Sequence, residues 1–550
     1  MLKNKFFQSF LVGALVNLAF APFNFFPAAI ISLSAFYFLL EGPAPEPFTK
    51  KKFGKNVIFW LGFFYGFGYF LAGIYWISIS LLVDAKQFAW LIPFALTFIP
   101  SALALYFALF AVSYKFIICK YSLKNSYQKI IIFSLLWLLL EVLRSVLFTG
   151  FPWNLLGYIW MFDVRFAQSA SIFGVYGSSF FAVLVCLFPV LFLGKKLAFG
   201  DKIFSATILL LFVVNIVYGF CRVDDSKLEI DGKARLRMVQ ANIKQEMKWD
   251  PQEKFLNFKK HIELTNSQDL RNISAVIWSE TSVPYVIDNN PELLDNLRVA
   301  TPKEGVLITG AIRATQSNEA VENVWNSVFV LDQNGVVDFY DKHHLVPFGE
   351  YVPLQKFLPF VEKITDGAVG FSEGDGAKTI TIKPALDGSH QGFSFSSLVC
   401  YEVIFSKEVL DKNSMPNLFV NLTNDAWFGR SSGPYQHLAM SRMRSIEYGI
   451  PLARVAGTGI SAFADPFGRI VKKIGLNEEG IIDVDLIKNL EPTFYAKNGD
   501  LALILLVVLS LCSLFIPNLI QRTNLFYQIR YIGDPRKPRI IGARLVSRTK

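Results

Sequence analysis

The chain has 550 residues, of which 53% are hydrophobic, 15% aromatic and only 18% charged, too few charges for a wholly soluble protein, where about a quarter is usual. The formal net charge of +10 is unevenly held: residues 222–500 carry 30 Lys+Arg against 37 Asp+Glu (−7), residues 1–221 carry 16 − 6 = +10, and residues 521–550 carry 8 − 1 = +7. A folded block that is acidic lacks the basic patch a nucleic-acid binder needs, so nucleic acid is excluded as a partner.

In chain order, apolar runs long enough to be read as bilayer spans fall near 6–21, 27–40, 56–82, 88–114, 130–149, 166–193 and 203–221, with an eighth at 501–520. The first two are short and parted by the Pro22–Pro27 turn, so they could form one re-entrant hairpin. Lys3 and Lys5 before a run ending Ala19-Phe20-Ala21 have the look of a signal peptide, but Pro22 and the spans that follow favour a retained helix. Glu141 and Arg144 stand three residues apart within a span. They are expected to pair with each other or with neighbouring helices, Arg144 alternatively holding a lipid headgroup.

Eight spans with a cytoplasmic N-terminus place 21 of the 24 basic residues outside 222–500 on the cytoplasmic side, as the charge bias of membrane proteins requires. The expected organisation is a seven-helix membrane domain (1–221), an extracytoplasmic domain (222–500), an eighth span (501–520) and a basic cytoplasmic tail (521–550) drawn to anionic lipid.

Within 222–500, strands are expected at 235–243, 275–278, 306–312, 327–331, 336–340, 393–399 and 418–422, several of them continuously apolar and therefore buried on both faces. Asp332-Gln333-Asn334-Gly335 reads as a hairpin turn. Helical stretches near 251–270 and 435–449 alternate with the strands, giving an α/β domain of sheets faced by helices.

Chemistry-bearing residues sit at the ends of these strands, where α/β folds place their functional groups. Glu280 ends AVIWSE, Lys342 follows VVDFYD, and Cys400 ends FSFSSLVC. The other four cysteines lie in or beside apolar segments, where a thiol is usually a small hydrophobe. Cys400 at a strand-to-turn junction can be a nucleophile, with its pKa lowered if it sits at a helix N-terminus. A base (Glu280) and a cation for the oxyanion (Lys342) would complete the set. Each alone reads more readily as a core thiol, a helix cap and a solvated turn lysine. No G-x-S-x-G, P-loop, GxGxxG, HExxH or Cys/His cluster occurs, so neither cofactor nor metal is expected.

Seven segments in order carry a resemblance: EVLRSVLFTGFPWNLLGY (141–158), MVQANIKQEMKWD (238–250), WSET (278–281), YDKHHLVPFGEYVPL (340–354), VCYE (399–402), NLTNDAWFG (421–429) and MSRMRSIEYGIPLARVAGTGIS (440–461). The Glu–Lys–Cys order resembles the nitrilase (carbon–nitrogen hydrolase) superfamily, and nearly all of 1–520 resembles its apolipoprotein N-acyltransferase family. Ser279 and the Gly457-Thr458-Gly459 turn depart from the usual pattern, and the tail after Gln521 has no counterpart.

The resemblance implies a polytopic α-helical membrane protein carrying a nitrilase-like αββα sandwich. It further implies a ping-pong transfer of an acyl chain from a phospholipid, typically phosphatidylethanolamine, through a Cys400 thioester to the α-amino group of a diacylated apolipoprotein. Glu280 would be the proton acceptor and Lys342 the oxyanion stabiliser. Glu350 and Glu402 would orient Lys342 and the base, and Trp249, Trp427, Asn326 and Tyr401 would line the substrate site. A monomer in the cell inner membrane is expected, with the catalytic domain on the periplasmic side.

The segment 355–374, apolar at helical spacing (Leu354, Phe357, Leu358, Val361, Ile364) and then glycine-bearing (Gly367, Gly370, Gly374), reads as a lid or as a helix packed on its own domain. The competing readings are a membrane-anchored amidase and, from another class, a transporter with an inactive scaffold domain.

Overall fold

The computed structural model describes residues 2–42, 52–193, 197–287, 290–317, 320–353, 370–388, 390–411 and 413–514. The expected basic tail and residues 354–369 of the expected lid lie outside these residues. The chain divides into two units, Met1–Leu503 and the remainder from Ile504.

The N-terminal part is helical: α1 (Leu2–Leu15), α2 (Pro27–Glu41), α3 (Lys52–Ile74), α4 (Ile92–Lys120), α5 (Ser126–Val146), α6 (Ala170–Leu187) and α7 (Phe199–Arg222). Five helical stretches among the described residues are long and apolar enough to cross a membrane: Val57–Ile74, Ala85–Lys120, Ser126–Thr149, Ala170–Leu191 and Phe199–Arg222. With 14 and 15 residues, α1 and α2 reach roughly 21–23 Å at 1.5 Å per residue, short of a ~30 Å hydrocarbon core. The third expected span ends early, because α3 stops at Ile74 and a separate short helix occupies Ile77–Ser80. Within α6, Gly174 takes φ +66 and breaks the helix, and a Cβ there would meet the Tyr495 ring at 2.5 Å.

The polar domain holds two sheets. Strands β1 (Ile230–Gln240), β2 (Ala275–Ile277), β3 (Val283–Val286), β4 (Val306–Ser317), β5 (Ala320–Asp332) and β6 (Gly335–Asp341) form one, closed by β13 (Gly480–Ile487) in the order β13-β1-β2-β4-β5-β6, with β3 also on β4. Strands β7 (Thr379–Ile382), β8 (Phe393–Val399), β9 (Leu418–Thr423), β10 (Leu452–Ala456), β11 (Ser461–Ala464) and β12 (Ile470–Ile474) form the other, in the order β12-β11-β10-β9-β8-β7. The central pairs β1–β2, β2–β4, β8–β9 and β9–β10 are parallel. That arrangement buries both faces of each strand and explains their unbroken apolar runs. At the β5–β6 hairpin, Asn334 N and Gly335 N donate to Asp332 Oδ1 at 2.7 and 3.1 Å, an Asx-type turn.

Apolar side chains from the facing sides of the sheets make one core, including Met238, Ile277, Ile308 and Val328 from the first and Phe395, Val420, Leu422 and Val455 from the second. Helices α8 (Lys254–Thr265) and α9 (Pro291–Ala300) cover the outside of the first sheet through Phe258, Leu293 and Leu297. On the second sheet lies α10 (Gly433–Tyr448), with Ser441 bonded to Asn421 and Arg454. The layers are therefore α-β-β-α, as expected.

Strands β3, β7 and β10–β13 and helix α9 are additions to the sequence reading, and the stretch 251–270 is helical only from Lys254 to Thr265.

The outer face of α10 meets the membrane part. Trp153 Nε1 donates to Gln436 Oε1 at 2.8 Å, Val175 N to Glu447 Oε1 at 2.8 Å, and Arg444 to Tyr158 Oη at 3.2 Å. Polar contacts of this kind fix how the domain sits on the helices, because each partner would otherwise be buried unsatisfied.

Candidate active site

Glu280 lies in the loop between β2 and β3. Gly310 N binds Ser279 O at 3.3 Å, and a Cβ on Gly310 would stand 2.3 Å from Thr281 N and 2.7 Å from Glu280 Cα. Only glycine permits that approach, so β4 presses the Glu280 backbone into place. Thr281 follows in a left-handed conformation (φ +45), a strained state that packing must hold.

Lys342 follows β6 directly. Its N–H binds Asn326 O at 2.9 Å and its carbonyl accepts from Gly374 N at 2.9 Å. Gly374, expected as a lid glycine, is a packing site: a Cβ there would fall 2.1 Å from Asp341 O. Asp341 is itself clamped by Arg313 at 2.9 and 2.6 Å. The Lys342 ammonium meets Glu350 Oε1 at 2.9 Å and Oε2 at 2.8 Å.

Cys400 directly follows β8 with φ +51 and opens a short helical turn, Cys400–Ile404. A left-handed nucleophile at a strand end is a sharp elbow that turns the side chain out of the sheet.

Asn326 joins the two carboxylates, its Nδ2 donating to Glu280 Oε1 at 2.8 Å and to Glu350 Oε1 at 3.1 Å. Val346 N donates to Glu350 Oε2 at 2.8 Å. Glu280 Oε2 is buried without a hydrogen-bond partner, and a lone carboxylate oxygen is the atom free to take a proton.

The thiol is not depressed as a helix N-terminus would make it. Burial, then the charge of Glu280, push Cys400 well above the usual thiol range against the pull of Lys342. Burial likewise raises Glu280, opposed by Lys342. For Lys342, burial is outweighed by Glu350 and Glu280, which hold the ammonium firmly charged. The resting state is a neutral thiol beside a carboxylate with proton affinity above the ordinary and a fixed cation. That is a general-base arrangement rather than a preformed thiolate.

Glu402 does not touch the ammonium by hydrogen bond. Fully buried, it accepts from Val399 N (2.7 Å), His343 N (2.8 Å), His344 N (3.2 Å) and Tyr340 Oη (2.8 Å). It ties the turn after Lys342 to the Cys400 elbow. Tyr401 Oη donates to Gly150 O at 2.9 Å, and His344 Nε2 meets Thr149 O at 2.9 Å, so both contact the membrane-side loop.

Arg144, buried, binds Phe151 O and Trp153 O (2.7 Å) and shapes that loop, while Glu141 Oε1 accepts from Trp137 and Leu156. No Glu141–Arg144 hydrogen bond forms; of the expected alternatives it is the neighbouring helix that is met, the Arg144 guanidinium lying 5.2 Å from the Phe70 ring of α3, and a guanidinium turned to backbone is not presented to a headgroup.

Trp249 is partly buried, with Lys254 over its ring at 5.9 Å. Trp427 is partly buried too, but its neighbour Phe428 does the packing, at 4.3 Å from Trp76 and 5.8 Å from Trp153.

Two features escaped the sequence reading. Asp425 accepts from Thr423 at 3.0 Å, contacts His437 Nδ1 at 2.9 Å and pairs with Arg454, and His437 Nε2 lies 3.2 Å from Cys400 O. Lys248, one residue before the expected Trp249, donates from Nζ to Glu280 O at 2.8 Å. The NLTNDAWFG and KWD motifs contain Asp425 and Lys248 but give no sign of whom they meet. Among the described residues no group of three or more His, Cys, Asp or Glu could hold a metal.

Comparison with known proteins finds two matching profiles, the apolipoprotein N-acyltransferase N-terminal domain over residues 12–188 and carbon–nitrogen hydrolase over residues 235–492. Apolipoprotein N-acyltransferase of Rickettsia prowazekii (strain Madrid E) is 38% identical over 504 residues, 90% of this chain and 95% of that protein. Those of Rickettsia typhi and Rhodopseudomonas palustris are 37% and 35% identical, over 93% and 91% of this chain and 98% and 92% of theirs.

Proposed function

The chain belongs to the apolipoprotein N-acyltransferase family, and from that premise we propose how its own residues carry out the acylation of lipoproteins in the membrane. Glu280 Oε2 takes the Cys400 proton. The sulfur attacks the ester carbonyl of a phospholipid, phosphatidylethanolamine by preference, and Lys342 faces the oxyanion. The tetrahedral adduct collapses, the C–O bond breaks, and the proton on Glu280 leaves with the lysophospholipid. The α-amino group of a diacylglyceryl-cysteine then attacks the thioester and gives its proton to Glu280; the C–S bond breaks, the amide leaves, and that proton returns from Glu280 to the Cys400 sulfur. Thioester chemistry keeps the acyl group activated without a nucleotide.

The observation that carries this reading is the buried Glu280 Oε2, the one carboxylate oxygen of Glu280 and Glu350 without a hydrogen-bond partner. Asn326 and Glu350 hold Glu280 and Lys342, Glu402 holds the elbow, and Trp249, Trp427 and Tyr401 stand at the substrate side.

We further propose eight spans, with 1–221 as seven of them, 501–520 as the eighth and 521–550 as a cytoplasmic tail. The catalytic domain, 222–500, then faces the periplasm from the inner membrane of a monomer. The 21-to-3 division of basic residues supports that orientation.

The test is the intact mass of the purified protein after incubation with phosphatidylethanolamine and no acceptor. A hydroxylamine-labile acyl adduct on Cys400, discharged by a diacylated lipopeptide with a free amine, is expected. Folded protein that forms no adduct yet hydrolyses small amides would replace the reading with a membrane-anchored amidase.

A further inference from the structure

Beside the loop that carries Glu280 lies a small cavity of about 20 Å³ whose lining includes Lys248, His261, Ser279 and Asn424 together with the apolar Ile243 and Pro284. The Lys248 side chain is buried against it, and its Nζ donates to the Glu280 carbonyl at 2.8 Å. Removing an ammonium from water costs several kcal/mol, so a lysine at this position calls for a compensating role. A methionine would fill the same space without that cost.

The charge balance of the pocket indicates the role. Glu280 and Glu350 together contribute two negative charges, and Lys342 cancels one. The groups acting on Glu280 are Lys342, Glu350 and Lys248. Those acting on Lys248 are Glu280 and the Cys400 thiol. The remaining titratable neighbour, His261, is held neutral by burial, which pulls it down to about 4. Lys248 is therefore the cation that brings the buried cluster to neutrality, and proton transfer from Cys400 to Glu280 leaves that balance unchanged.

We propose that Lys248 is a positioning residue of the acyl-transfer site, fixing the Glu280 main chain and supplying the second cation that keeps Glu280 an unprotonated base. The inference rests on the acyl-transfer reading of the previous subsection. Burial lowers Lys248 to about 8, so the ammonium is present over the range in which Glu280 must stay ionised. Loss of that charge raises the Glu280 proton affinity, so the base becomes protonated at higher pH. The acid limb of the pH–rate profile, which reports the essential base, must then move up.

The experiment follows Cys400 thioester formation by intact mass across pH, using full-length protein in phosphatidylethanolamine-containing nanodiscs. Wild type is compared with Lys248→Met and Lys248→Arg. Lys248 is the weaker of the two cations acting on the Glu280 carboxyl, so its share lies at the low end of the about 1–3 units that a nearby opposite charge supplies. Lys248→Met should therefore displace the acid limb upward by about one pH unit and form thioester roughly tenfold more slowly below the limb. Its rate should recover toward wild type above the limb, and Lys248→Arg should keep the limb in place.

An unmoved limb in Lys248→Met overturns the proposal, whether its rate is normal or reduced equally at every pH. Should Lys248→Met not melt cooperatively, Lys248→Gln is read by the same criterion. Wild-type protein that forms no thioester would sink the acyl-transfer reading itself, whereas a wild-type thioester with an unmoved variant limb sinks only the role of Lys248.

Discussion

Two buried charge clusters flank the Cys400 elbow, and they are built differently. In the one around Asp425, both carboxylate oxygens are engaged, by Thr423 and His437 on one side and Arg454 on the other. In the one around Glu280, Oε1 is bound by Asn326 and Oε2 by nothing. The Asp425 carboxyl is held below its usual range, where Arg454 and His437 outweigh burial. In Glu280 burial wins and the carboxyl is raised. A carboxylate bound through both oxygens holds backbone in place, and one with a free oxygen keeps a proton affinity in reserve.

The comparison is sharpened most by Glu280→Gln, which keeps size and shape but removes the base. Thioester formation should fall by about 10²–10⁴-fold, the usual weight of a general base. The melting temperature should fall much less than in Asp425→Asn, because Lys342 keeps its ion pair with Glu350 and Lys248 keeps its bond to the residue-280 carbonyl. A variant that melts well below wild type would mean that Glu280 is structural, and the contrast with Asp425 would collapse.

Asp425→Asn probes the opposite pole. It leaves the Arg454 guanidinium buried without its counter-charge, a loss of about 3–5 kcal/mol by analogy with broken buried pairs. The midpoint of unfolding should drop, and the residual activity should follow the folded fraction. Normal stability with lost turnover would instead place Asp425 among the reacting groups.

Glu280, Lys342 and Cys400 were legible because they stand just past strands whose apolar runs are easily read, and the membrane part was legible through hydropathy. What the sequence hid is relational. Lys248 and Trp249 are neighbours in one motif, yet the lysine meets the base and the tryptophan does not. Asp425 precedes Trp427 by two residues and pairs with Arg454 on the next strand of the sheet. Strands β10–β13 escaped notice because they are short or belong to an edge, where alternation is brief. Gly374 looked like a hinge because glycine is read as freedom, whereas here it permits close approach to Asp341.

A third cluster, outside both, joins the Lys342 turn to the elbow and titrates. His343 lies against Glu402 (2.9 Å) and Glu408 (3.6 Å), and His344 lies 2.7 Å from Glu408. Burial lowers His343, but Glu402 and Glu408 outweigh it and bring it to about 10. Burial raises Glu408, but the two histidines bring it to about 2. A raised histidine stabilises fully below its unfolded value of 6.5 and loses that contribution as pH climbs through about 10. A depressed glutamate stabilises above 4.5 and loses it as pH falls through about 2. Both contributions are whole between 4.5 and 6.5. The melting-temperature gap between wild type and Glu408→Gln should be widest there and should narrow toward either extreme. A gap independent of pH would show that packing rather than charge joins the turn to the elbow.

The smallest effect is expected at the seam with the membrane part. Tyr401 gives one neutral hydrogen bond to Gly150 O, typically about 1 kcal/mol net, and its ring stays packed edge-on against Phe405 at 5.0 Å. Tyr401→Phe should therefore lower stability by about that amount. Thioester formation, which depends on Glu280 and Lys342, should change by less than tenfold. If Tyr401 instead contacts the acyl donor, as its place in the VCYE motif suggests, the substitution will raise KM while leaving the melting temperature nearly untouched. Reading the two quantities on one variant decides whether the residue after the nucleophile belongs with the bonded, holding cluster or with the reacting one.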